Sequence, residues 1–221
     1  MEITKSILTK NPCYKAGKTI TVKGIMLHSV GCPQPSAMAF VKSWNTSSSN
    51  VCVHGFIDAN TGEVYQTLPW NHRGWHCGGS ANSSHIAIEM CEPDCIKYTS
   101  GANFTCSNKI KAKNSLKITY NSAVKVFAHL CKKYDLDPLK KGVIISHAEG
   151  YKSGVASNHA DPTHLWSGLG TGYTMDGFRK DVKAAMNDKI YRVQVGVFSN
   201  KQNAENLLVK LKQAGFDGYI S

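Results

Sequence analysis

His85-Ile86-Ala87-Ile88-Glu89-Met90 is the stretch whose reading decides the fold. It has the length of a strand and is apolar enough to belong inside a sheet rather than at its margin. Two further apolar runs, Ile25-Met26-Leu27-His28 within a β-rich stretch over 20–30 and Ile144-Ile145-Ser146-His147, each end in a histidine that projects from a sheet edge. Val51-Cys52-Val53-His54-Gly55-Phe56-Ile57-Asp58 and Glu63-Val64-Tyr65-Gln66-Thr67-Leu68 flank Asn60-Thr61-Gly62, which reads as a hairpin turn. Helices alternate with these strands. Ser36 reads as the N-cap of a short helix with Met38, Val41 and Trp44 on one face. The clearest helix runs from about Thr119 to Tyr134, with a stripe of Val124, Phe127, Ala128 and Cys131 and with Lys132 and Lys133 in its last turn. Asp176 reads as the cap of a last helix bearing Phe178, Val182 and Ala185. The segments 70–84, 92–114 and 151–172 read as loops, the second an irregular polar insertion. The alternation predicts a single α/β layer sandwich over residues 1–186.

Composition narrows the class. With 221 residues, 42% hydrophobic and 19% charged, the chain can bury one substantial core and has room for a small second module. No apolar stretch approaches the ~20 residues that span a bilayer, so no membrane insertion is expected. Met1-Glu2-Ile3-Thr4-Lys5 runs into mixed sequence with no apolar segment, and no signal peptide is expected. The net charge of +11 favours polyanionic surroundings such as nucleic acid, an anionic membrane or a teichoic-acid-bearing wall. The densest basic stretch, Lys109-Ile110-Lys111-Ala112-Lys113 with Lys117 nearby, reads as a solvated loop. It carries no nucleic-acid-binding signature, so no nucleic-acid partner is expected. The eight cysteines, without a signal peptide, read mostly as buried thiols, and Cys91-Glu92-Pro93-Asp94-Cys95 with Cys106 reads as a loop rather than a metal knuckle.

Composition shifts at 187–189, read as a linker. Beyond it, Tyr191 to Phe198 alternates like a strand, Asn203 to Ala214 is amphipathic and closed by Gly215, and Phe216 to Ile220 reads as the start of another strand. Residues 190–221 therefore read as one βαβ unit with nowhere to bury its second strand: either a truncated module or one packed on the main domain.

The chemistry concentrates in His28, His147 and the segment Asn158-His159-Ala160-Asp161-Pro162. Two neutral imidazoles and one carboxylate, His28, His147 and Asp161, leave a fourth position open, as a catalytic zinc requires. Such a metal lowers the pKa of a bound water to about 7.

Val53-His54-Gly55-Phe56-Ile57-Asp58, Thr61-Gly62-Glu63-Val64-Tyr65-Gln66, Trp75-His76-Cys77-Gly78-Gly79, Asn82 and Ile86-Ala87-Ile88-Glu89 follow in an order and spacing that resemble the type 2 N-acetylmuramoyl-L-alanine amidases, which share a fold with peptidoglycan recognition proteins. The likeness covers roughly residues 20–186. The tail from Tyr191 resembles the first half of a SPOR domain, a module associated with peptidoglycan glycan strands. The resemblance implies a central mixed β-sheet flanked by helices and a Zn2+ hydrolase. It would cut the amide between the lactyl group of N-acetylmuramic acid and L-alanine, and would work as a monomer on peptidoglycan. Glu89 matches the family's acidic residue and is the expected base. His76, with Trp75 and Asn82, is expected at the substrate, His76 as a possible oxyanion donor. His54 is expected to be structural, and His72, His85, His129 and His164 are expected in surface or packing positions.

This chain departs from the pattern in two places. Many relatives carry lysine where His159 stands, which leaves His159 either an oxyanion donor with a pH dependence of its own or a ligand. Val53 stands where some phage members have tyrosine. Three readings follow: a wall-degrading endolysin or autolysin made in the cytoplasm and released by lysis or a holin-like route, a cytosolic enzyme recycling muropeptides, and a non-catalytic peptidoglycan binder. The complete set of His28, His147, Asp161 and Glu89 disfavours the last, and the SPOR-like tail favours the first.

Overall fold

The computed structural model describes residues 2–187, 194–216 and 218–220. The chain divides into two compact units, Met1–Asn187 and Asp188–Ser221. The larger unit runs β1 (Ile3–Lys5), α1 (Pro12–Lys15), β2 (Gly24–Ser29), α2 (Ala37–Trp44), β3 (Gly55–Ile57), β4 (Val64–Gln66), a 3-10 turn at Ser80–Ser83, and β5 (His85–Met90). It continues through β6 (Ile96–Ser100), β7 (Asn103–Cys106), α3 (Lys109–Lys133), β8 (Ile144–Ser146), α4 (His147–Lys152), α5 (Thr163–Gly168) and α6 (Met175–Asn187).

The expected mixed sheet with flanking helices forms. Its six strands lie in the order β1-β4-β3-β5-β2-β8, with β3 and β4 antiparallel and the other neighbours parallel. β5 is internal and every residue of it is buried. Strand alternation then sorts the side chains. Ile25, Leu27, Ile86, Ile88 and Ile144 join the core made with α3 and α6, including Phe127, Phe178 and Val182. The opposite face carries Phe56 and Ala87 in a cluster with Ala37 and Val41 of α2, and Met26 and Ile145 in another with Cys77 and Ala81. His28 follows the alternation of Met26, and Glu89 that of Ala87. Both therefore emerge on the face away from α3.

Several local readings change. α3 begins at Lys109, ten residues before the sequence reading, because Asn108 caps it through its side-chain oxygen (3.0 Å to the Lys111 N–H) and Ala112, Leu116, Tyr120 and Ala123 form a buried stripe. The lysines at 109–113 thus lie on a helix, not in a loop. Within 92–114, β6 and β7 form an antiparallel hairpin whose polar alternation hid it. Ser36 precedes α2 but makes no side-chain cap; Asp58 Oδ2 accepts the Ala37 N–H instead, at 2.9 Å. Asp176 lies inside the first turn of α6 and pairs with Arg179 at 2.8 Å. In 151–172, α5 forms, and α4 starts at His147 behind a capping box of Ser146 and Glu149. All eight cysteines are free thiols, five of them buried.

The smaller unit holds α7 (Lys201–Gln213), capped by Asn200, whose side chain accepts the Gln202 N–H at 2.8 Å. The strands expected at 191–198 and 216–220 lie partly outside the described residues. Their described parts, 194–198 and 216, 218–220, carry no strand, since neither run finds a ladder partner among the described residues. No helix among the described residues is long and apolar enough to cross a membrane.

Candidate metal centre

β2 delivers His28 and the start of α4 delivers His147, while the loop before α5 brings Asp161 between them. His28 Nδ1 lies 3.2 Å from Asp161 Oδ2 and 3.1 Å from His147 Nδ1, and His147 Nδ1 lies 3.4 Å from Asp161 Oδ1. All three residues are buried. A tetrahedral ion bound at about 2.0–2.1 Å separates its donor atoms by roughly 3.3 Å. Two nitrogens and a carboxylate at this spacing fit such an ion.

The electrostatics agree. Burial, reinforced by His28, lowers the His147 pKa to about 4 despite Asp161, so the ring is neutral and has a lone pair to give. Burial pushes the Asp161 carboxyl up, but its hydrogen bond with His28, the two imidazoles and the Ser29 N–H (3.2 Å) outweigh this and hold it below the usual range. The Ala148 N–H also bonds the Asp161 carbonyl at 3.2 Å, tying the loop to the first turn of α4.

Glu89 is the register partner of His28 across β2 and β5. Burial, then the charges of Asp161 and Glu92, raise its carboxyl well above the ordinary value. Its Oε2 is buried with no hydrogen-bond partner among the described residues. A buried acceptor without a donor is costly to keep, and such atoms mark sites of chemistry.

His159 is exposed at the rim. Its ring centroid is 4.4 Å from that of His147, and its Nδ1 is 3.1 Å from Ser157 Oγ, which also lies 3.3 Å from His147 Nε2. The group whose donor atoms converge is His28, His147 and Asp161, without His159. The other expected substrate residues face inward. His76 Nδ1 is 3.0 Å from His28 Nε2. The Asn82 side-chain oxygen accepts the N–H groups of His76 and Cys77, at 2.9 and 3.1 Å. Trp75 exchanges both backbone hydrogen bonds with Cys52, at 2.9 and 3.0 Å. His54 is fully buried between the Ala87 N–H and the His72 carbonyl, at 3.0 and 2.8 Å.

A further buried carboxylate was not anticipated. Glu92, fully buried, accepts the Gly31 N–H at 2.9 Å and the Tyr98 hydroxyl at 2.8 Å. The same hydroxyl lies 2.8 Å from His164 Nε2. This chain joins β6 to the start of α5, just beyond Asp161. Sequence gives one signal for it, an acidic residue two positions after the apolar β5 run.

Residues 18–164 match the family model for N-acetylmuramoyl-L-alanine amidase, and residues 174–221 match that for the SPOR domain, a match that begins at the start of α6. The N-acetylmuramoyl-L-alanine amidases XlyA and CwlH of Bacillus subtilis (strain 168) are similar in sequence. XlyA is 35% identical over 38% of this chain and 29% of its own length; CwlH is 34% identical over 43% and 39%. The chain thus aligns with well under half of either relative. The Staphylococcus aureus hydrolase AmiA, solved in complex with its ligand, shares the fold: TM-score 0.63 at 18% identity, covering 84% of this chain and 83% of that one.

Proposed function

The chain belongs to the N-acetylmuramoyl-L-alanine amidase family, and from that premise we propose that it is a zinc-dependent peptidoglycan amidase of endolysin or autolysin type, cutting between the lactyl group of N-acetylmuramic acid and L-alanine. The reading rests most on one observation: His28, His147 and Asp161 bring two ring nitrogens and a carboxylate within reach of one ion, beside a buried carboxylate with an unpartnered oxygen. The SPOR match at 174–221 supports peptidoglycan as the polymer that is engaged.

His28, His147 and Asp161 would hold the zinc, which when bound supplies Lewis acidity and makes water nucleophilic near neutral pH. Glu89 takes the proton of the attacking water on Oε2 as the new carbon–oxygen bond forms. The raised affinity of this carboxyl for a proton suits it to keep that proton until the carbon–nitrogen bond breaks. It then delivers the proton to the departing alanine nitrogen. His159, exposed at the rim, donates an N–H to the carbonyl oxygen as charge develops there. The sheet floor behind His28 and Glu89 is closed by buried side chains and excludes bulk water from the base.

Mass spectrometry of digested peptidoglycan, paired with metal analysis of the purified protein, tests this. Free N-terminal alanine on released stem peptides and one zinc per chain are expected. Cleavage within the glycan or between two amino acids would overturn the assignment of the bond, and active protein without metal would overturn the zinc.

A further inference from the structure

A histidine binds a metal through one ring nitrogen only if the proton sits on the other. In His28 the nitrogen facing His147 and Asp161 is Nδ1, so Nε2 must carry the proton. The atom beside Nε2 is His76 Nδ1, at 3.0 Å, with the two rings edge to face at 82°. Only one proton fits between these nitrogens. If His76 supplied it, the His28 proton would move to Nδ1, where it would point at Asp161 and close the site. If His76 accepts it, the Nδ1 lone pair of His28 is open.

With a metal on His28 Nδ1 the second case holds: the only proton of the ring is then on Nε2, and His76 Nδ1 is the atom placed to accept it. The segment is built to keep the ring there. Asn82 holds its backbone N–H at 2.9 Å. A Cβ at Gly74 would lie 2.9 Å from His76 Cδ2 and 3.1 Å from His54 Cε1, and one at Gly79 would lie 2.2 Å from the Val155 carbonyl oxygen. Neither glycine can be replaced without moving the loop.

We propose that His76 is a positioning residue for the metal centre: its Nδ1 accepts the Nε2–H of His28 and fixes the tautomer that leaves His28 Nδ1 free to bind a metal. This gives Trp75-His76-Cys77-Gly78-Gly79 and Asn82 a joint role in preparing a ligand, and it rests on the metal-site reading above. Partners of this kind are worth about 10–100-fold in metal affinity when removed.

The test measures zinc affinity by chelator competition for wild type, His76→Phe and His76→Asn, and records the imidazole 15N shifts of His28 and His76 in the zinc-loaded wild-type protein. His76→Phe keeps a ring without an acceptor and should bind zinc about 10–100-fold more weakly. His76→Asn places an oxygen near the lost Nδ1 and should recover most of the affinity. The zinc-loaded spectrum should show His28 protonated at Nε2 and His76 unprotonated at Nδ1. His76→Phe binding zinc within twofold of wild type, or a His76 proton on Nδ1, overturns the proposal. Absence of zinc binding by wild type would overturn the metal-site reading and this proposal with it, whereas normal wild-type binding with an unaffected His76→Phe overturns this proposal alone.

Discussion

Glu89 and His28 stand side by side across the β2–β5 ladder, so the carboxylate and the imidazole leave the sheet from adjacent positions on one face. On the proposed reading, that pairing puts the base next to a metal ligand without any loop having to order. Glu89→Gln keeps the shape and removes the acceptor charge. The variant should retain metal and fold and lose activity by about 10²–10⁴-fold, the range for a general base. Steady-state rates on purified walls, read beside the zinc content, check this. A loss under threefold would leave Glu89 a structural role.

The three converging donors should couple metal to stability. An ion that binds only the folded chain stabilises it by about 2.7 kcal/mol at a concentration 100 times its Kd. Thermal melts with and without chelator should separate for wild type and coincide for His28→Ala, whose zinc content should also fall. A His28→Ala protein that keeps its zinc would move the site elsewhere.

Glu92 predicts a pH dependence. Burial lifts its carboxyl from an ordinary 4.5 to about 7, with hydrogen bonds from Tyr98 and the Gly31 N–H only partly offsetting it. The folded state therefore holds this proton more tightly than the unfolded one. The stabilising contribution is complete below about 4.5 and is lost as pH rises through 7. Over that window metal-free wild type should lose about 3 kcal/mol relative to Glu92→Gln. Denaturant melts at several pH values measure the difference, and parallel stability curves for the two proteins would refute it.

The Tyr98 hydroxyl serves Glu92 and His164 together, each at 2.8 Å. Tyr98→Phe leaves the aromatic packing with Phe104 and strips both partners. It should cost about 1–3 kcal/mol, the penalty of unsatisfied buried groups, while Lys97→Ala on the exposed face of the same strand should be near neutral. Equal stability of Tyr98→Phe and wild type would show that the hydroxyl holds nothing.

How far each feature could be read from sequence follows from how local its cause is. β5 and the donors at the ends of the β2 and β8 runs were legible because an apolar run and its terminal residue sit together in the chain. α4 had a local signature as well, Ser146 followed by Glu149, but it was overshadowed by the strand before it. The first turns of α3 were hidden because the lysines at 109, 111 and 113 alternate with Ile110 and Ala112, and Ile110 faces solvent. Glu92 had only its place beside β5 as a signal, and its links to Gly31 and, through Tyr98, to His164 were not legible. Their partners lie far apart in the chain, and no spacing rule connects β6 with α5. The inward turn of His76 is of the same kind: the sequence places it in a glycine-rich loop but says nothing of which side of the loop meets His28.

His159 carries the last prediction, because it is the exposed imidazole packed beside His147. It is exposed, and its hydrogen bond to Ser157 uses Nδ1 and not Nε2. If it donates to the carbonyl oxygen, His159→Ala should keep its zinc while kcat falls by about 10²–10³, as for one lost oxyanion donor. His159→Lys should recover part of that rate. It should also carry the alkaline limb of the pH profile upward, since the unperturbed pKa of lysine lies about four units above that of histidine. Zinc content and the pH profile of kcat separate the outcomes. Loss of metal in His159→Ala would make His159 a ligand, and an alanine variant as active as wild type would make it a solvated residue of the rim.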